Sequence, residues 1–130
     1  MAAGGTSEDY ERYLEAIAKA RTPQEELRYL YALPDFRDAS LVGRTLEMTL
    51  TGKIRSQNVP GVLARAMANR DHGDRAWAFA KERWDEIVSR LAPTTVVYAA
   101  DGTRFLTEPD QVEDAAAFFA AHPIPQSALQ

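Results

Sequence analysis

The stretch Lys53-Ile54-Arg55-Ser56-Gln57-Asn58 gathers two cations and two amides into one short run, and it is the most promising polar segment of the chain. Arginine grips a carboxylate through two parallel N–H···O bonds, and the amides of Gln57 and Asn58 could bond a peptide backbone. The same residues also have a plainer use. Lys53 and Arg55 follow Gly52, a good helix terminator, so their charges complement the free carbonyls of a helix end. Asn58 precedes Val59 as the cap of the next helix. Capping is the favoured reading of the residues alone.

Signatures of catalysis are missing from the sequence. His72 and His122 lie far apart, and neither has a histidine or carboxylate at the spacing that puts two ligands on one helix face. There is no H-E-x-x-H, no glycine-rich phosphate loop and no G-x-S-x-G. His72, inside Asp71-His72-Gly73-Asp74, reads as a turn histidine. Adjacent carboxylates such as Glu25 with Glu26, Asp85 with Glu86, and Glu113 with Asp114 point in different directions on a helix and do not share a proton. Glu82 and Glu86 have helical spacing, but Arg83 and Arg90 stand beside them, so they read as a solvated charged face. Trp77 and Trp84, seven apart, read as core.

Six helical stretches must position these groups. The first runs from about Ser7 to Arg21, striped by Tyr10, Tyr13, Leu14 and Ile17. Thr22-Pro23-Gln24-Glu25 opens the second with a cap, a first-turn proline and a capping box; Leu27, Leu30 and Tyr31 form its apolar side, and Pro34 stops it. A third follows Asp38 and ends before Gly52, with Val42, Leu46, Thr49 and Leu50 inward. The fourth spans roughly Asn58 to Arg70 and the fifth Asp74 to Leu91. The last starts near the cap candidate Thr107 and carries Val112, Ala115, Ala116, Phe118 and Phe119 inward until His122-Pro123-Ile124-Pro125 closes it. Between them, Thr94-Thr95-Val96-Val97-Tyr98 and Arg104-Phe105-Leu106 fit a hairpin by β propensity and a helix equally well. Short connections force neighbouring helices antiparallel, so the expected fold is all-α: stacked helix hairpins of the HEAT or armadillo kind, a piece of an α-solenoid.

The 130 residues suit one domain, with residues 1–6 a tail and 7–130 a single helical unit. A net charge of −4 without a basic block argues against nucleic acid. No apolar run approaches the roughly 20 residues that cross a bilayer. Cysteine is absent, and Met1-Ala2-Ala3-Gly4-Gly5 has neither basic flank nor apolar core, so cytoplasm is the default location.

Several stretches together resemble one family. Gly52-Lys53-Ile54-Arg55-Ser56-Gln57-Asn58 is similar to the G-x-I-R-x-Q-D stretch in the C-terminal helical domain of puromycin-sensitive and endoplasmic-reticulum-type zinc aminopeptidases. Ala68-Asn69-Arg70, then Gly73 to Asp85, resemble its A-x-N…G-R-x-L-A-W-x-F-x-K-x-N-W-D. Thr22 to Leu30 with Ala32-Leu33 match T-x-Q-E-K-x-R-x-L-x-A-L, and Phe105, Thr107, Val112 and Phe118-Phe119 fall on F-x-T…L-x-x-V-x-x-F-F. The likeness covers roughly residues 22–121. Asn58 stands where the family usually has Asp, and Arg83 replaces the usual Asn before Trp84.

The resemblance implies an excised piece of a larger enzyme. In that family the zinc ion and the catalytic motifs belong to a preceding domain, so this chain would carry no cofactor. The helical domain bounds the peptide chamber and packs on the catalytic domain. Its implied partners are therefore that catalytic domain and a peptide substrate, with Arg55, Gln57, Asn58 and Asn69 as chamber-lining or interdomain candidates. It also turns residues 94–106 toward helix. An exposed apolar surface, open to self-association, would follow from the cut. The alternative is a free-standing helical scaffold that recruits a partner protein.

Overall fold

The computed structural model describes residues 7–106 and 108–122, and among them eight α-helices and no strand are found. In order these are α1 (Ser7–Lys19), α2 (Pro23–Leu30), α3 (Ala39–Met48), α4 (Val59–Met67), α5 (Gly73–Glu82), α6 (Trp84–Ser89), α7 (Pro93–Asp101) and α8 (Pro109–Ala121). Short 3-10 turns at Leu33–Asp35, Ser56–Asn58 and Gly102–Phe105 join α2 to α3, α3 to α4 and α7 to α8. The tail 1–6, Thr107 and the closing Pro123-Ile124-Pro125 lie outside the described residues.

Helix starts follow local chemistry. Thr22 Oγ1 accepts from the Glu25 amide at 3.1 Å, and Asp38 Oδ1 accepts from the Ser40 amide at 2.8 Å, each satisfying a donor the helix cannot. Proline stands in the first turn of α2, α4, α7 and α8, where its missing N–H costs nothing. Ser7 is the first residue of α1 instead of its cap, and α1 stops at Lys19.

α4 is the hub. It packs on α3, α5, α7 and the turns on either side. Val59, Val62, Leu63, Ala66 and Met67, its expected stripe, are all buried. Each of the larger aliphatics among them stabilises by about 1.5–3 kcal/mol relative to an exposed one. α1 lies against α2, and Tyr10 reaches from α1 into the core, its hydroxyl 2.7 Å from Thr45 Oγ1. Thr45 spends its own proton on the Leu41 carbonyl at 3.0 Å, so Tyr10 is the donor of that pair.

Two elements differ from simple periodicity. The stripe expected to run unbroken from Asp74 to Leu91 is divided at Arg83, which leaves helical geometry (φ −109, ψ 18). Of its inward residues Trp77, Ala80, Trp84, Ile87, Val88 and Leu91, all still lie in the core except Val88, which packs half-buried against it. Residues 93–105 are helical, which decides between hairpin and helix. A strand would put Val96 and Tyr98 on one face. Instead Val96 is 2% exposed and Tyr98 66%, while Val96, Ala99 and Ala100, at helical spacing, are buried. Gly102 permits the close approach to α4, since a Cβ there would sit 3.2 Å from Ala64 Cα.

α8 closes the other side. Phe118 and Phe119 meet Trp77 and Trp84 largely edge-to-face, with centroids 5.3–5.9 Å apart. The Trp77 indole N–H donates to Asp114 at 2.8 Å, and Lys81 bonds the same carboxylate oxygen. Val112 and Ala116, expected inward, are exposed, because α8 rests on its Ala115, Phe118 and Phe119 side.

Candidate functional site

The loop that drew attention in the sequence spreads its side chains over different surfaces. Gly52 begins it with φ +82, the left-handed conformation that ends α3. Arg55 is exposed and its Nε lies 3.5 Å from Glu26 Oε1 on α2. With Lys53 and Arg44 it rims a groove of about 650 Å³ whose floor is Leu14, Ile17, Leu30, Met48 and Ile54. Gln57, exposed, borders a separate hollow of about 460 Å³ with Pro60, Tyr98, Arg104 and Phe105. Asn58 occupies the cap position of α4 but is buried and makes no side-chain capping bond.

Asn69 lies elsewhere, in the connection from α4 to α5. Its amide nitrogen donates to the carbonyls of Pro34 at 2.8 Å and Phe36 at 3.1 Å. Its oxygen accepts from the amides of Asp71 at 2.9 Å and His72 at 3.1 Å. The side chain thus pins the turn after α2 to the connection before α5. His72 adds a second clasp, with Nε2 2.6 Å from the Arg37 carbonyl, so it is more than a solvated turn residue. That bond makes Nε2 the protonated nitrogen, since a carbonyl can only accept.

Beside this clasp the structure opens a hollow of about 850 Å³, lined by Tyr13, Arg28, Tyr29, Ala32, Asp35, Arg37, Ala68, Asn69, Arg70 and Asp71. Burial holds the Asp35 carboxyl above the ordinary carboxylate range, with the nearby Arg65 charge opposing the shift. Of the residues singled out in the sequence, only Asn69 belongs here. The hollow is assembled from three segments, Tyr13 on α1, residues 28–37 and residues 68–71, the last two more than thirty positions apart, and no local spacing reveals it.

Among the described residues no group of three or more His, Cys, Asp or Glu side chains is arranged to hold a metal ion. Glu86 is bonded by Arg83 at 3.0 Å, which holds its carboxyl below the usual range. That geometry gives an ion pair instead of an acid–base dyad with Glu82. No helix among the described residues is long and apolar enough to cross a membrane.

Against known proteins, the whole chain, residues 1–130, matches the family described as ERAP1-like C-terminal domain. The chain belongs to that family. Relatives of this ERAP1-like domain include "Aminopeptidase 2, mitochondrial" of Saccharomyces cerevisiae, 26% identical over 119 residues, covering 89% of this chain and 12% of that protein. "Alanine/arginine aminopeptidase" of the same yeast is 30% identical over 103 residues, covering 79% of this chain and 12% of that protein. "Aminopeptidase M1-A" of Oryza sativa subsp. japonica is 30% identical over 111 residues, covering 85% and 12%. The chain thus spans about an eighth of the length of these relatives, and in them it corresponds to one part of a much longer protein.

Proposed function

We propose that this domain is a non-catalytic wall of a zinc metallo-aminopeptidase, one that bounds the peptide chamber and packs against the catalytic domain. The observation that carries the reading is the match of the entire chain to an ERAP1-like C-terminal domain, whose relatives bear aminopeptidase names. The helices would then be one section of a stacked-hairpin solenoid. In this reading Arg55 and Gln57, both exposed, make contacts to peptide or neighbouring domain, while Asn58 and Asn69 fix the loops that carry such contacts. The zinc ion belongs to the catalytic domain, and the parent enzyme works in the cytoplasm.

Exposed apolar residues support a packing role. Among the described residues the large exposed hydrophobics are Tyr98, Phe105 and Val112, all at the α7–α8 end. Arg104 lines both of the hollows that hold them. Assay of the purified chain with added zinc on aminoacyl reporter substrates tests the reading. No turnover is expected; zinc-dependent release of the reporter, surviving metal-free purification, would overturn it.

A further inference from the structure

Arg28, Arg37 and Arg70 converge on the hollow of about 850 Å³ beside Asn69. Elsewhere the chain neutralises arginines on itself: Arg12, Arg44, Arg55, Arg83 and Arg104 each hold a carboxylate oxygen within 3.5 Å. None of the three in the hollow has such a partner among the described residues, and Arg28 donates to the Tyr29 hydroxyl at 2.9 Å. Arg21, Arg65, Arg75 and Arg90 also lack one, but none of them lines this hollow. Acid is not scarce. The chain has 19 acidic residues against 15 basic ones, so three arginines around one hollow with no carboxylate in contact among the described residues are not forced by composition.

The walls are held in place. Asn69 and His72 tie the two segments that carry Arg37 and Arg70, so these guanidinium groups stand on a fixed frame. The rings of Tyr13 and Tyr29 meet edge-to-face at 5.6 Å and give the hollow an aromatic side. Asp35 and Asp71 add acceptors to the same lining. A fully ionised phosphate offers those two carboxylates no donor. A peptide instead offers amide N–H groups to the aspartates, separate carboxylates to the arginines and apolar atoms to the tyrosines. The volume is ordinary for a site that takes a short segment.

We propose that this hollow binds an acidic peptide segment, whose side-chain carboxylates are held by Arg37 and Arg70 while its backbone lies along Tyr13 and Tyr29. The inference deepens the peptide-contacting reading above. Its test is direct binding instead of turnover, so either can fail without the other.

The test is fluorescence anisotropy of the full chain with a dye-labelled peptide of alternating Glu and Gly, capped at both ends, against its Gln counterpart. The Glu peptide should bind, and binding should weaken with added salt, while the Gln peptide stays free. Arg37→Glu with Arg70→Glu should lower affinity by about tenfold or more, from two lost ion pairs and the repulsion that replaces them. Arg75→Glu, on the surface of α5, should leave affinity unchanged. Should the double variant melt early, Arg37→Gln and Arg70→Gln taken singly should each weaken binding several-fold. Equal binding of the Gln peptide, equal loss on Arg75→Glu, or no binding of the Glu peptide would each overturn the proposal. So would binding confined to a peptide with a free C-terminus, which would assign the hollow to a terminal carboxylate.

Discussion

The carboxamide of Asn69 has two donors and two acceptor positions, and all four are taken by backbone groups of Pro34, Phe36, Asp71 and His72. Asn69→Ala strips partners from four main-chain groups at once and is expected to lower unfolding free energy by about 2–3 kcal/mol, read from urea denaturation. Asn69→Asp keeps the two acceptor bonds but sets a carboxylate oxygen against the Pro34 and Phe36 carbonyls, so it should destabilise at least as much. Gln57→Ala, by contrast, removes an exposed side chain and should change stability by no more than about 0.5 kcal/mol. A drop as large as that of Asn69→Ala would contradict the division between them. Sequence spacing shows that Asn69 follows a helix, as turn residues do. It does not show the carbonyls of Pro34 and Phe36, which lie 35 and 33 positions away. Asn58 carries the converse lesson: position made it a cap, and burial of its side chain gave it no capping bond.

At the level of elements, two glycines, one inside a helix and one at a helix start, should respond with opposite signs. Gly43 lies inside α3, and a Cβ there meets nothing within 4 Å. Gly43→Ala should therefore stabilise by about 0.5–1 kcal/mol through helix propensity and a smaller unfolded ensemble. Gly73 opens α5, and its Cβ would drive into the carbonyl oxygen of Met67, a backbone atom that cannot rotate away. Gly73→Ala should destabilise by about 1–3 kcal/mol, and thermal melts of the pair distinguish the signs. The α5–α8 contact adds a pH dependence. Bonds from Lys81 and Trp77 hold the Asp114 carboxyl below its ordinary value, so the folded state favours the charged form more than the unfolded one. Its contribution is present above the unfolded value and lost as pH falls through the lower folded one. Asp114→Asn should thus lower the melting temperature at pH 7, with a deficit that shrinks below about pH 4. A deficit that stays constant to pH 2 would deny the carboxylate this role. Capping residues and aliphatic stripes made α2, α3 and α4 legible in advance. The 93–105 segment was not, because β-branched residues suit a strand locally and only packing of Val96 and Ala99 on α4 favours the helix.

For the whole molecule, what surrounds the chain matters as much as what it contains. It spans about an eighth of its aminopeptidase relatives, so surfaces that are exposed in the isolated chain need not be so in a longer protein. Amphipathic patterning carried the all-α class because each stripe demands a neighbour, and α4 satisfies that demand on several sides. The pattern could not mark the surface at α7 and α8, since Val112 has the same helical spacing as the core residues Ala115 and Phe119. If Tyr98, Phe105 and Val112 are a packing face, water covers them only when the chain is alone, and two copies can bury them against each other. Sedimentation velocity across a range of concentrations should then show weak, concentration-dependent association, stronger in added sulfate because burial of apolar surface is favoured there. Val112→Glu places a charge on that face and should shift the chain to monomer, with an unchanged melting temperature because the side chain is already 53% exposed. Glu47→Gln, on the exposed side of α3, should leave association as it was. A chain that stays monomeric at every concentration would mean that the exposed tyrosine, phenylalanine and valine are ordinary surface residues.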